Sequence, residues 1–204
     1  MFLKVCGITR LTDALHAADQ GATALGFVFW PRSPRFVTPE HAAEIIRELP
    51  GTVTTVGVFV NESIDGIRTV VARTGLTAVQ LHGDEPPAYA DAITWPLLRS
   101  VTLDEAVQVR DDWPSNTTWL LDAADRQRRG GTGQRVDWQR AAVLARDRRI
   151  VLAGGLTPDN VADAITTVHP YGVDVSTGVE EGPGVKDLKK VTAFLASAKE
   201  AFQR

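Results

Sequence analysis

Two residues with chemically useful side chains each stand at the end of a short apolar run. Cys6 ends the run Leu3–Cys6 and is followed by Gly7, and Asp122 ends the run Trp119–Asp122. A free cysteine is often buried as a small hydrophobe, and an aspartate after a strand is often a turn former. However, a carboxyl group shielded from water can hold its proton near neutral pH and act as a general acid. The elements that position these two residues decide between a structural and a chemical role.

Eight short apolar runs along the chain have the length and composition of β-strands. VTTVGVFV and IVLAGG are apolar on both sides of the pleat, as expected for strands of a parallel sheet that helices cover. The predicted strands are Leu3–Cys6, Ala24–Phe29, Thr54–Val60, Ala78–Leu81, Pro96–Ser100, Trp119–Asp122, Ile150–Ala153 and Gly172–Val175.

Segments with helix signals separate these runs. Thr38-Pro39 and Thr157-Pro158 each place an N-cap hydroxyl before a proline at the first helical position. Thr102–Glu105 has the form of a capping box, and the segment from Leu188 is apolar at spacings of three and four. The other predicted helices are Thr12–Gln20, Ile64–Thr74, Pro86–Ala92 and Asp137–Arg146.

The regular alternation of strands and helices predicts the fold. Strand starts recur about every 24 residues, which is enough for one strand, one helix and short connections. No linker-like stretch interrupts the 204 residues, so we expect one domain over residues 1–204. The sequence therefore predicts an α/β protein with a single-domain (β/α)8 TIM barrel. A doubly wound open sheet is the alternative, since alternation alone does not prove closure.

The overall composition excludes several classes of function. The single cysteine excludes an intramolecular disulfide and fits a reducing, cytoplasmic location. The four histidines are scattered, so we expect no metal site. A net charge of -3 predicts no nucleic-acid partner, and the basic cluster Arg126–Arg129 is interpreted as a solvated loop. The N-terminus lacks a signal-peptide core and no stretch is long enough to span a membrane, so we expect no membrane association.

In such a barrel the reactive groups collect at the C-terminal ends of the strands. Glycine-rich segments let backbone amides approach an anion, and the seventh and eighth loops form the usual phosphate site of this fold. We therefore expect a phosphate pocket there. The residues at the strand ends, in chain order, are Cys6, the loop Trp30–Arg35, Asn61, His82, Arg99, Asp122, the segment Gly130–Gly133, Gly154-Gly155 and Ser176–Gly178.

Several short motifs occur in order across the whole chain. They are KVCGIT at residues 4–9, SPRFV at 33–37, QLHGDE at 80–85, LLDA at 120–123, GGTG at 130–133, AGGL at 153–156 and DVSTGVE at 174–180. Together with Gly184–Asp187, this set resembles the phosphoribosylanthranilate isomerase family, which supplies the third-step enzyme of tryptophan synthesis. Ala123 and Thr177 stand where serine is frequent in the family. Neither departure removes a proposed catalytic group.

The resemblance implies an isomerase that converts N-(5-phosphoribosyl)anthranilate to 1-(2-carboxyphenylamino)-1-deoxy-D-ribulose 5-phosphate by an acid/base Amadori rearrangement. It implies that Cys6 is the general base and Asp122 the general acid. No cofactor is implied, because hydrogen moves within one phosphosugar substrate. The substrate-binding residues that it implies are Arg35, His82, Gly131, Thr132, Gly154, Gly155, Ser176 and Thr177.

Two of these assignments leave alternatives. Arg35 is the candidate for the anthranilate carboxylate because a guanidinium fork suits bidentate pairing. By position alone, Arg10, Arg32 and Arg99 could take that role. His82 either contacts the substrate or forms hydrogen bonds within the mouth of the barrel.

Other functions of the same fold would need residues that differ from those of this chain. Indole-glycerol-phosphate synthase usually needs lysines, ribulose-phosphate epimerase needs a metal with histidine ligands, and a dual-substrate isomerase would usually show paired aspartates. A catalytically silent phosphosugar-binding barrel would keep the glycine loops without needing both Cys6 and Asp122. Trp113 and Trp138, expected at the surface, fit a monomer and a homodimer equally well.

Overall fold

The eight predicted strands form a closed parallel barrel. The structure, a computed structural model, describes residues 1–109, 112–123 and 136–204. Strands β1 to β8 pair in sequence order, and β8 pairs with β1. The predicted (β/α)8 barrel is therefore confirmed, and the open sheet is wrong. The strands are β1 Phe2–Cys6, β2 Ala24–Val28, β3 Thr54–Phe59, β4 Ala78–Leu81, β5 Leu97–Val101, β6 Thr118–Leu121, β7 Ile150–Leu152 and β8 Gly172–Val175.

A helix follows each strand. The helices in the described residues are α1 Leu11–Asp19, α2 Pro39–Arg47, α3 Ile64–Thr74, α4 Ala88–Ala92, α5 Leu103–Gln108, α6 Trp138–Ala145, α7 Val161–Val168 and α8 Leu188–Gln203. Between β8 and α8 lie elements that the sequence did not predict. These are a 3-10 turn, Thr177–Val179, and an antiparallel pair, β9 Glu180–Gly182 and β10 Val185–Lys186.

Two of the three predicted helix caps are confirmed. The Thr38 hydroxyl accepts a hydrogen bond from the His41 amide, and Thr102 forms a reciprocal capping box with Glu105. The predicted cap at Thr157 is wrong, because α7 begins four residues later. There the Thr157 amide donates to Asn160 Oδ1 at 2.8 Å, so a turn precedes the helix.

The inside of the barrel is layered, because alternate side chains of each strand point inward. β1 contributes Lys4 and Cys6 at successive levels, and β4 contributes Gln80, with His82 directly after the strand. Polar groups thus occupy the upper levels, near the C-terminal ends of the strands. Below them lies an apolar floor of Ala24, Val56, Ala78, Leu98, Leu120 and Val151, with Phe2 packed against it.

Trp113 is buried rather than exposed, so its predicted surface position is wrong. The Arg99 guanidinium lies over its ring, with 5.3 Å from the guanidinium carbon to the ring centroid. Trp138 is half-buried. Across residues 1–109, 112–123 and 136–204, no helix has both the length and the apolar character needed to cross a membrane.

Closure between β1 and β8 requires a glycine at position 172, which is the register partner of Phe2. A Cβ atom on Gly172 would lie 2.2 Å from the Phe2 carbonyl oxygen. We expect Gly172→Ala to lower the free energy of unfolding by about 1–3 kcal/mol, measured by urea denaturation. Gly51→Ala is the matched control, because a Cβ there meets no atom within 4 Å. Equal stability of both variants would contradict this account of closure.

Candidate active site

A cavity of about 650 Å³ opens at the C-terminal ends of the barrel strands. Side chains from β1, β2, β3, β4 and β8 and from the connections after β2, β3, β4, β6 and β8 form its wall. The cavity brings together six of the predicted site residues, which are Cys6, Arg35, His82, Asp122, Ser176 and Thr177.

Of the four remaining predicted site residues, two do not line this cavity and two lie outside the described residues. Gly154 and Gly155 have φ angles of 76° and 67°, the left-handed region that glycine favours. Neither lines the cavity; Gly154 packs so closely on the Ala123 amide that a Cβ would lie 2.8 Å from its nitrogen. Gly131 and Thr132 lie outside the described residues.

Cys6 is buried at the end of β1, with Gly26 of β2 as its register partner. A Cβ on Gly26 would lie 2.6 Å from Cys6 Sγ, so glycine at that position leaves the space that the sulfur occupies. Burial raises the pKa of the Cys6 thiol, and the nearby charge of Lys4 opposes that rise. The thiol is therefore mainly protonated at neutral pH, and forming the thiolate requires a nearby positive charge or hydrogen-bond donor.

Asp122 follows β6 and is mostly buried in the same cavity. Burial raises its pKa to about 6, although the Ala123 amide donates a hydrogen bond to Asp122 Oδ1 at 2.8 Å. The negative charge of Asp174 adds to the rise. A carboxyl group with this pKa can release and recover a proton near neutral pH, as a general acid must.

His82 lies next to Asp122, and its ring orientation is fixed from the other side. Gln80 Nε2 lies 3.1 Å from His82 Nδ1, and this hydrogen bond holds the ring in place. His82 Nε2 lies 3.9 Å from Asp122 Oδ2. His82 therefore bonds within the mouth of the barrel and also lines the cavity.

Arg35 is held in the cavity wall by a buried carboxylate. Its Nε and Nη2 donate to the two oxygens of Glu180 at 2.8 and 2.6 Å. Lys186 Nζ donates to Glu180 Oε1 at 2.8 Å and to the Cys6 carbonyl oxygen at 2.6 Å. Burial alone would raise the pKa of Glu180, but Arg35 and Lys186 lower it, so this carboxylate is ionised. A ligand carboxylate would meet Arg35 at the other edge of its guanidinium, formed by Nη1 and Nη2.

The structure separates the three alternative arginines. Arg99 Nη1 lies 3.1 Å from Glu85 Oε2, and Arg10 Nη2 lies 2.7 Å from Asp13 Oδ1. Neither arginine lines the cavity, whereas Arg32 does. The choice for a carboxylate ligand is therefore between Arg35 and Arg32.

Several site residues were missed by sequence reasoning. They are Lys4, Gln80, Asp174, Glu180 and Lys186, all buried. A signal for two of them was present, because a charged residue inside an apolar strand, two positions before a predicted site residue, points to the same side of that strand. Lys4 precedes Cys6 in this way, and Asp174 precedes Ser176.

The arrangement offers two groups for proton transfer and, in Arg32 and Arg35, two guanidinium groups that could pair with an acidic ligand. A weak acid on β1 and another after β6 reach one water-shielded space, which suits general acid–base chemistry. Over the described part of the chain, His, Cys, Asp and Glu form no cluster of three or more that could hold a metal ion.

The raised pKa of Asp122 predicts a pH-dependent cost to stability. The pKa of the Asp122 carboxyl is 3.8 in the unfolded chain and about 6 in the folded one. Its contribution to the free energy of unfolding is therefore fully favourable below pH 3.8 and is lost as pH rises through 6. We expect Asp122→Asn to raise the free energy of unfolding at pH 8 by up to about 3 kcal/mol. Urea denaturation should show this gain shrinking towards zero at pH 4.

The exposed Asp159 provides the control for this prediction. Asp159→Asn should change stability little, and equally at both pH values. A gain for Asp122→Asn that is the same at pH 4 and pH 8 would show that its carboxyl has an ordinary pKa.

Known proteins resemble this chain over nearly its full length. Residues 3–197 match the family described as N-(5'phosphoribosyl)anthranilate (PRA) isomerase. The N-(5'-phosphoribosyl)anthranilate isomerase of Geobacter sp. (strain M21) is 48% identical over 199 residues, covering 97% of each chain. A phosphoribosyl anthranilate isomerase solved with reduced 1-(o-carboxyphenylamino)-1-deoxyribulose 5-phosphate has a TM-score of 0.86 and 38% identity, covering 98% of this chain and 99% of that one.

A third relative has the same fold at similar identity. It is the structure of monomers of the dimeric phosphoribosylanthranilate isomerase from Thermotoga maritima, with a TM-score of 0.85 and 38% identity. The alignment covers 98% of this chain and 99% of that one. Matches of this extent, together with the barrel and its cavity, show that the chain belongs to the N-(5'-phosphoribosyl)anthranilate isomerase family.

Proposed function

We propose that Cys6 is the general base and Asp122 the general acid in the isomerisation of N-(5'-phosphoribosyl)anthranilate. The family makes the chain an isomerase of tryptophan biosynthesis; the residue roles are the proposal. The observation that carries it is the shared cavity, in which a thiol and a carboxyl group reach one space from β1 and β6. A sugar bound in this cavity can contact the thiol and the carboxyl group at the same time.

The reaction opens the sugar ring and then moves hydrogen from C2 to C1 of the substrate, with Asp122 and Cys6 exchanging protons with it. Asp122 donates its proton to the ring oxygen as the C1–O bond breaks, and the nitrogen lone pair forms the C1=N iminium. The Cys6 thiolate then removes the C2 proton, and the electrons of that C–H bond form C1=C2 while the C=N electrons return to nitrogen. In the last step C1 takes up the proton held by the Cys6 thiol and the enol hydroxyl gives its proton to the Asp122 carboxylate, which leaves a ketone at C2 and restores both groups. No atom is gained or lost overall.

The two ends of the substrate would bind on opposite parts of the cavity wall. The anthranilate carboxylate would pair with the free edge of Arg35, whose orientation Glu180 fixes. The phosphate would lie at Ser176 and Thr177, which line the cavity at the end of β8. Backbone amides near the phosphate would come from Gly154 and Gly155, and from Gly131 and Thr132.

His82 would act both on the proposed general acid, Asp122, and on the bound sugar. Its hydrogen bond with Gln80 directs Nε2 towards Asp122, 3.9 Å away. In this position it would also contact the sugar.

Four other expectations stay predictions. They are a cytoplasmic location, one domain over residues 1–204, a monomeric or homodimeric state, and the lack of nucleic-acid and membrane partners.

Removal of the thiol should slow turnover strongly with little effect on substrate binding, because a base acts in the transition state. We expect Cys6→Ala to lower kcat by about 10²-fold or more, with KM changed only a few-fold. The measurement is the fluorescence decay of freshly generated phosphoribosylanthranilate. Unchanged turnover would exclude Cys6 as the base, and substrate binding without turnover by the unaltered chain would indicate a silent binding barrel.

Arg35 and Arg32 can be compared as a matched pair, since both line the cavity. Lysine keeps the charge but loses the planar fork for a carboxylate. We expect Arg35→Lys to raise KM about tenfold, and Arg32→Lys to raise it less than threefold, in the same fluorescence assay. The reverse order would assign the anthranilate carboxylate to Arg32.

A further inference from the structure

The two proposed catalytic groups need protonation states that are the reverse of their ordinary ones. At neutral pH a carboxyl group is normally ionised and a thiol normally protonated. The reaction needs the carboxyl protonated and the thiol ionised. With ordinary values near 3.9 and 8.5, that arrangement is only about one part in 10⁴ to 10⁵ of the forms sharing one proton. The cavity must therefore contain charged groups that bring the pKa values of the carboxyl group and the thiol closer together.

A buried ion pair lies beside the cavity, one level below Cys6 in the barrel. Lys4 Nζ donates to Asp174 Oδ1 at 2.9 Å, and the Lys4 side chain is fully buried. The two residues are register partners on β1 and β8. Each also lies two positions before a residue of the cavity wall, Cys6 or Ser176, so each points into the barrel.

The ammonium end of the pair lies close to the thiol. A Cβ on Gly26 would lie 2.6 Å from Cys6 Sγ and 3.1 Å from Lys4 Nζ. The sulfur and the nitrogen are therefore within about 6 Å of each other, a range in which an opposite charge stabilises a thiolate. The carboxylate end of the pair, Asp174, lines the same cavity as Asp122.

We propose that the Lys4–Asp174 ion pair is a positioning element for both reactive groups, its ammonium stabilising the thiolate of Cys6 and its carboxylate stabilising the protonated form of Asp122. This inference rests on the catalytic roles proposed above. Neither Lys4 nor Asp174 transfers a proton in it. The pair acts through its charges.

The charged surroundings of Cys6 agree with this assignment. Burial raises the pKa of the thiol, Lys4 lowers it, Asp174 raises it and Lys186 of β10 lowers it. Arg35, in the loop after β2, also interacts with Cys6. Burial alone would lower the pKa of Lys4, but Asp174 and Cys6 raise it, so Lys4 stays cationic.

The charged surroundings of Asp122 have the opposite balance. After burial, the repulsion from Asp174 is the charge effect that raises its pKa, and Lys4 opposes that effect. His82, at the end of β4, faces the same carboxyl at 3.9 Å. Loss of Lys4 should therefore raise both pKa values, and loss of Asp174 should lower both.

The test compares the pH dependence of two variants that differ in the sign of the lost charge. The kcat/KM profile of the unaltered chain should be bell-shaped, with its limbs set by Asp122 and Cys6. We expect Lys4→Gln to move both limbs to higher pH and Asp174→Asn to move both to lower pH, each by about 1 pH unit. The double variant Lys4→Gln/Asp174→Asn should lie between them. Lys189→Gln and Asp159→Asn, both exposed, are the charge-matched controls.

A second measurement tests the inference without turnover. Because the chain has one cysteine, the rate of iodoacetamide alkylation against pH reports the ionisation of Cys6 alone. The midpoint should rise in Lys4→Gln and fall in Asp174→Asn. If the midpoints shift as expected but Cys6→Ala keeps full turnover, the catalytic roles fail and the electrostatic coupling stands. Unmoved limbs and midpoints in folded variants would show that the ion pair is only structural.

Discussion

The pairing of β1 with β8 is the contact on which the site depends. Without it, the barrel stays open and Lys4 has no partner for its buried charge. Loss of one member of a buried ion pair typically costs about 3–5 kcal/mol, whereas replacement of both members by apolar residues is often neutral. A buried ion pair is thus a poor choice for stability alone. With the roles proposed for Cys6 and Asp122, its place beside the cavity supplies a chemical reason for having charges inside the barrel.

Glu180 gives the site its second fixed point. Its carboxylate holds Arg35 from the loop after β2 and Lys186 from β10, and Lys186 in turn donates to the Cys6 carbonyl oxygen. The Lys186 amide also donates to Asp13 Oδ2 at 3.0 Å, which attaches the β9–β10 pair to α1. The segment between β8 and α8 therefore fixes the cavity wall, although its own strands are only two and three residues long.

Local signals predicted the fold well where local forces decide it. The strands fall within one or two residues of their predicted bounds because buried parallel strands must be apolar on both faces. The capping box at Thr102 was predicted correctly because it involves residues three apart. The cap at Thr157 failed because Asn160, a competing side chain, forms a turn there. The β9–β10 pair was missed because distant partners such as Asp13 and Arg35 hold it.

The residues that line the cavity at the strand ends were largely predicted, whereas the charged residues buried below and behind them were missed. Strand ends and motifs pointed to six residues that the cavity brings together, including Cys6 and Asp122. The motifs also contained Lys4 and Asp174, and strand alternation places each on the same side as a predicted site residue, but it does not identify the partner of either charge. Their pairing depends on barrel closure, a contact between residues 170 positions apart, which no local pattern encodes.

That separation has a consequence for how the chain is made. At a synthesis rate of about 5–20 residues per second, roughly ten to thirty seconds pass between the emergence of Lys4 and that of Asp174. An unpaired ammonium group is costly to bury, and Lys4 has no partner for its charge until Asp174 has been made. Burial of a charged Lys4 is therefore disfavoured during that interval. The barrel itself closes only after β8, its last strand, has left the ribosome.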